Sequence, residues 1–272
     1  MNSNLPSGGR AWATRDGSRY PGLRATSAAR VVRWAARWLP GVDDELAGLR
    51  SVVPPGAVCV AIGDARTTYT VALSALAGPK GRVHCFEPLE RAARWQTATA
   101  TVLGCENVTV HRIAVGALGH QCAVHGMTPG PGRCRSPAGP CERRAACGSR
   151  QAGAPSPRPA PVPVQTLDGV SRWLGLERVD FIKVDAGSAG RRMLTGGFHT
   201  LLRDRPALLV RTEARHRAGH CSDLGSLARS LTASLGYRQY RWGARGWQRT
   251  VGVTEDCRTY LFRAQPSRFP QE

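Results

Sequence analysis

Long apolar runs, paired cysteines, lysine and acidic charge are what this sequence has least of. No stretch of its 272 residues approaches the roughly 20 apolar residues that a membrane-spanning helix requires, which excludes a helical span. The first thirty residues, MNSNLPSGGRAWATRDGSRYPGLRATSAAR, are basic but lead into no apolar core, so no secretory signal is read and a cytoplasmic location is expected. Nine cysteines contain no C-x-x-C pair. Cys122, Cys134, Cys141 and Cys147 cluster near His120 and His125, but their spacings match no compact zinc module, and no metal site is expected. Acidic residues number 19 against 38 basic ones, giving a formal charge of +19. Lys80 and Lys183 are the only lysines, so the charge is nearly all arginine, spread along the whole chain. Such a charge invites phosphate neutralisation. Aromatics make up only 6%, however, and no aromatic-rich recognition motif accompanies the arginines. Alanine, glycine and arginine are abundant together, which reads as compositional bias, and nucleic acid is not the expected partner.

What is present has a regular rhythm. Residues 1–24 are Gly-, Ser- and Arg-rich and read as a disordered basic arm. SAARVVRWAARWLPG follows, with apolar residues at helical spacing and a stop at Pro40-Gly41. From Ala57 the pattern alternates: a strand over 57–62, a helix over 68–77 broken by Gly78-Pro79, a strand over 82–86, a helix over 89–102, then the strand NVTVHRIAV. Continuous apolar runs of this length suit strands buried on both faces, and strands separated by helices imply right-handed crossovers and a parallel sheet. The rhythm stops at Leu118. Residues 118–160 hold seven glycines, seven prolines and six arginines against one acidic residue, too little apolar surface to offset ordering, so they read as a flexible insert. Order resumes with VPVQTLDGVSRWLGL, a strand and a helix capped near Thr166 or Asp168. VDFIKVD is the fourth core strand, followed by a helix over 189–202 and the strand RPALLVRTE. A helix over 222–235 leads to GYRQYRW and CRTYLFRA, which suit terminal antiparallel strands. Residues 25–265 thus read as one domain carrying the insert.

In an open parallel sheet, ligands bind beyond the carboxyl ends of the strands at the point where strand order reverses. Gly63, Glu87 and Asp185 each end a strand and converge there. Glycine at the first turn lets a ligand approach the backbone. A carboxylate ending the second strand is placed to accept both hydroxyls of a ribose. On FIKVD, alternation puts Lys183 and Asp185 on one face. Charged side chains within an apolar strand are costly unless paired or functional, so the two are either a structural ion pair or part of a site.

GPKGRVHCFEPLERAARWQ, NVTVHRIAVG, VPVQTLD, VDFIKVDAGSAGRRMLTGGFHTLLRDRPALLV and SLGYRQYR, in this order and spacing, resemble successive blocks of the FkbM-type S-adenosylmethionine-dependent methyltransferases. The resemblance covers roughly residues 50–265 apart from the insert. It implies a class I methyltransferase fold, a Rossmann-like, doubly wound, mostly parallel seven-stranded sheet with helices on both faces. It also implies S-adenosylmethionine as cofactor and transfer to a hydroxyl of a sugar, natural product or other small molecule. On this basis Gly63 admits the amino-acid part of the cofactor, Asp64 assists it, and Glu87 binds its ribose. Asp185 is the expected base, with Lys183 holding its geometry. Some family positions differ. Where the family reads Asp-Val-Gly-Ala-Asn-x-Gly, this chain has Ala61-Ile62-Gly63-Asp64-Ala65-Arg66-Thr67. Gly187, Ser188 and Gly190 replace a Glu, a Gly and a Glu, and Arg211 stands near a family acid. Two alternatives follow: a methyltransferase-fold protein that binds without turnover, and a nucleic-acid-directed methyltransferase, which the charge alone favours. The sequence fixes no oligomeric state.

Overall fold

The computed structural model describes residues 44–64, 67–116, 121–123, 161–185, 195–211, 221–254 and 257–265. The basic arm over 1–24, the helix expected after it, the members of the cysteine–histidine cluster other than Cys122, and residues 187–190 lie outside these. Of the insert, only the backbone of strand β5 (Gln121–Ala123) is described.

The strands are β1 (Val58–Ile62), β2 (Arg82–Phe86), β3 (Val108–His111), β4 (Ala114–Val115), β5, β6 (Pro161–Gln165), β7 (Phe181–Asp185), β8 (Ala207–Arg211), β9 (Tyr237–Gly243), β10 (Gly246–Arg249) and β11 (Thr259–Ala264). Eight of them form one sheet in the order β10-β9-β11-β8-β7-β1-β2-β3. β1, β2, β3, β7 and β8 run parallel, and β11 is antiparallel to both β8 and β9. The sheet therefore has one strand more than the seven expected. The extra strand is β10, whose sequence GWQR is too short and polar to read as a strand; it returns along β9 through a tight turn ending at Gly246, with φ 97°. β4, β6 and β5 form a separate small sheet.

Alternation along the parallel strands builds two cores. Cys59, Ala61, Val83, Cys85, Phe181 and Leu209 face one way, onto the helix Thr68–Ala77 and a 3-10 helix, Asp44–Ser51. Val60, Ile62, Ile182, Val184, Leu208 and Val210 face the other way, onto the helices Leu167–Trp173 and Cys221–Arg229. This explains why the strands read as unbroken apolar runs. Thr166 is the cap of the helix Leu167–Trp173, its hydroxyl accepting from Gly169 N at 2.9 Å. Asp168 instead serves the next helix, Phe198–Asp204, accepting from the backbone N–H groups of His199 and Thr200.

The chain leaves β1 toward β2 and β3, and later passes from β7 to β8 on the other side. Strand order thus reverses between β1 and β7. The carboxyl ends of these two strands flank the crevice that an open sheet offers a ligand.

Candidate functional site

The loop after β1 is built around two residues with positive φ. Gly63 has φ 76°, and a Cβ there would come within 3.4 Å of the Asp185 Cβ. Thr67, just before the helix Thr68–Ala77, has φ 63° and ψ 1°. This left-handed conformation suits glycine, and a β-branched residue adopts it only when its surroundings force it. Thr67 is buried and its hydroxyl has no hydrogen-bond partner among the described residues. The turn thus keeps a glycine backbone although it carries threonine.

Asp64 lies inside this loop at 3% exposure. Its Oδ2 accepts from both the backbone N–H and the hydroxyl of Thr70, each at 2.7 Å, which satisfies an orphan donor of the helix's first turn. Its carbonyl accepts from the Gln96 side-chain amide, which ties the loop to the helix Glu90–Val102.

Lys183, on β7, is fully buried. Its Nζ lies 2.7 Å from Asp185 Oδ2, 3.8 Å from Asp64 Oδ1 and 3.4 Å from the Gly63 carbonyl. It also sits 4.9 Å from the centre of the Tyr69 ring, a cation–π contact, and the Tyr69 hydroxyl donates to Glu45 Oε1 at 2.8 Å. A buried ammonium is tolerated only when its charge is matched in this way. One lysine thereby joins the loop after β1 to the carboxylate ending β7.

Asp185 keeps one oxygen on Lys183, while Oδ1 is buried with no partner among the described residues. Burial pushes its pKa above the ordinary aspartate value, and Lys183 offsets part of the rise. Glu87, just beyond β2, is 3% exposed. Its Oε1 accepts from Leu89 N at 3.0 Å, and no partner holds Oε2 among the described residues. Burial raises its pKa also, partly offset by the Leu89 N–H. The five residues singled out in the sequence thus come together at the strand ends beside the switch point. Asp64 and Lys183 turn inward as its frame. Gly63, Glu87 and Asp185 present backbone or free oxygen atoms. Arg211, the register partner of Asp185 on β8, adds a positive charge beside it.

Three supporting residues escaped the sequence reading. Tyr69 and Gln96 act through contacts across the fold and carry no motif, and Glu45 belongs to a short 3-10 helix without a periodic signature. Beside the crevice, His84 Nδ1 and His111 Nε2 lie 3.2 Å apart on β2 and β3, with the His111 ring stacked on Phe86. Burial pushes both imidazoles down to about 4. Among the described residues, no group of three or more His, Cys, Asp or Glu could hold a metal ion.

The residues fit S-adenosylmethionine in kind. Gly63 leaves the backbone open, Glu87 has a free oxygen suited to a ribose, and Asp185 stands across from both at the switch point. Residues 58–239 match the family described as the methyltransferase FkbM domain. No curated protein matches the chain significantly. Among solved structures, the methyltransferase FkbM from Methylobacillus flagellatus KT is 15% identical with a TM-score of 0.48, covering 88% of this chain and 59% of that one. An O-methyltransferase from Bacillus cereus in complex with SAH is 14% identical, TM-score 0.47, covering 89% and 90%. A SAM-dependent methyltransferase from Aquifex aeolicus is 13% identical, TM-score 0.44, covering 88% and 97%.

Proposed function

The chain belongs to the FkbM methyltransferase family, and on that premise we propose that it methylates a hydroxyl group of a small molecule or glycan, with Asp185 as the base. The observation that carries this reading is the asymmetry of Asp185: Oδ2 is held by Lys183 at 2.7 Å, while Oδ1 is buried without a partner among the described residues. A carboxylate fixed at one oxygen has the other free to accept the proton of an acceptor hydroxyl. Its raised pKa brings it closer to the range where a base works near neutral pH. Lys183 keeps the carboxylate oriented and spreads its charge into Tyr69 and Asp64.

S-adenosylmethionine, when bound, supplies the methyl group as an electrophilic sulfonium. Glu87 holds its ribose through the free oxygen, and Gly63 admits its amino-acid end. Asp64 fixes the loop through Thr70 and Lys183 and takes no direct part. In-line methyl transfer depends on positioning, so a rigid frame of buried hydrogen bonds contributes directly to rate.

Incubation with isotope-labelled S-adenosylmethionine and a panel of sugars and natural-product alcohols tests the reading. The expected product is a base-stable methyl ether, formed by the wild type and reduced at least a hundredfold by Asp185→Asn with cofactor affinity retained. Label recovered as a base-labile ester or on nitrogen, or transfer undiminished in Asp185→Asn, would overturn it. Among the described residues no helix is long and apolar enough to cross a membrane.

A further inference from the structure

A second concave site lies on the same face of the sheet, outside the crevice. The 3-10 helix Asp44–Ser51 and the β9–β10 hairpin flank an open groove of about 640 Å³, within the roughly 300–1,000 Å³ typical of small-ligand sites. Its walls carry Tyr240, Trp242 and Trp247, and its rim carries Arg50, Arg245 and Arg263. The groove is preformed. The Trp247 indole N–H donates to the Gly48 carbonyl at 3.0 Å, and the two indoles meet edge to face with centres 5.1 Å apart. Gly48 leaves them no room to spare, since a Cβ there would collide with both rings. The three arginines are exposed, and none has a carboxylate partner among the described residues.

Its position relative to Asp185 follows from register. Asp185 pairs with Arg211, Arg211 with Thr259, and the β11–β9 register continues from Thr259 to Trp242. Alternation puts all four on the face of Phe181, Leu209, Leu261 and Tyr240. Trp242 therefore stands three strands from Asp185 along the carboxyl edge, roughly 14 Å at about 4.8 Å per strand.

We propose that this groove is an acceptor subsite for an anionic saccharide, a sugar chain bearing carboxylate, sulfate or phosphate groups, whose far end docks here while a hydroxyl nearer its other end reaches Asp185. The docking of a hydroxyl at Asp185 rests on the O-methyltransferase reading; binding of the far end in the groove does not. Indole faces pack against the C–H faces of sugar rings, and guanidinium groups pair with their anionic substituents through charge-assisted hydrogen bonds. A groove of this volume holds a few sugar rings. The separation from Asp185 exceeds a single ring, so an oligosaccharide is required to touch both.

Titration of the full chain with a hyaluronan tetrasaccharide, followed by tryptophan fluorescence and calorimetry without cofactor, is the test. Maltotetraose serves as the neutral control and a four-nucleotide oligothymidylate as the nucleic-acid control. The expected result is tetrasaccharide binding at least tenfold tighter than either control, weakened at least tenfold in Arg245→Ala and in Trp242→Ala. S-adenosylmethionine affinity of both variants stays unchanged, which separates the groove from the crevice. Equal binding of maltotetraose, tighter binding of the oligonucleotide, no tetrasaccharide binding, or undiminished binding in Arg245→Ala would each overturn the proposal. Tetrasaccharide binding that leaves no methyl ether in the transfer assay would support the groove and count against the hydroxyl-transfer reading.

Discussion

Replacing Thr67 by glycine should stabilise the protein, although glycine usually does the opposite. Thr67 has φ 63° and ψ 1°, is 1% exposed, and buries a hydroxyl with no partner among the described residues. The left-handed conformation costs an L-residue about 1–2 kcal/mol. An unsatisfied buried hydroxyl adds about 1–3 kcal/mol. Against these gains, glycine loosens the unfolded chain by about 0.4–1 kcal/mol. Loss of two buried carbons, the Cβ and the methyl, costs about 1.6 kcal/mol more. The balance favours Thr67→Gly by about 1 kcal/mol. Equilibrium denaturation measures it as a raised midpoint at constant slope. Thr67→Ala removes the hydroxyl but keeps a Cβ in the strained backbone, so it should fall between the two. Destabilisation by glycine, or alanine equal to glycine, would show that the turn does not hold residue 67 in the left-handed region and would refute the reasoning.

Lys183→Met should cost about 3–5 kcal/mol, because Asp64 and Asp185 are left facing each other without their cation, and Asp64→Asn in the same chain should recover part of it by thermal or chemical unfolding. Acid should also destabilise the fold. Burial and neighbouring charge lower His84 and His111 from 6.5 to about 4, so the unfolded chain binds more protons across that window. Stability is lost as pH falls from about 6.5 to about 4, by at most about 3 kcal/mol per imidazole, and less than twice that for the coupled pair. Glu87 and Asp185, with raised pKa values, act in the opposite sense, so the measurement is the acid slope of the wild type against His84→Leu/His111→Leu, which should be flatter.

Legibility followed locality. VCVAI, RVHCF and FIKVD announce buried strands through their own apolar residues, and their termini could be matched to Gly63, Glu87 and Asp185 because a parallel sheet collects strand ends at one edge. The match with residues 58–239 bears out the family suggested by the ordered blocks. The departure at Thr67 was legible as an awkward residue, while its consequence, a glycine backbone retained under strain, needed φ and ψ. Asp64 shows the opposite case. Next to Gly63 it reads as a cofactor group, but its lone pairs face Thr70 and Lys183, and only tertiary packing reveals that. Ala61 is register partner to Lys183, so the position where the family carries an acid points at the same lysine that Asp64 reaches from the loop. The Trp242–Trp247 groove was invisible because one wall, Asp44–Ser51, is far from the other in sequence and β10 carries no strand pattern.

Calorimetric titration of S-adenosylmethionine into the wild type and Glu87→Ala tests the crevice most directly. One cofactor should bind per chain, and removing the ribose-facing carboxylate should weaken it by about 1.5–3 kcal/mol, roughly tenfold to a hundredfold, with unfolding still cooperative. Wild-type affinity should rise as pH increases through the raised pKa of Glu87, since the ionised carboxylate is the stronger acceptor, and Glu87→Ala should lose that rise. Absence of binding to the wild type, or equal affinity in a folded Glu87→Ala variant, would contradict the placement of the cofactor at these strand ends.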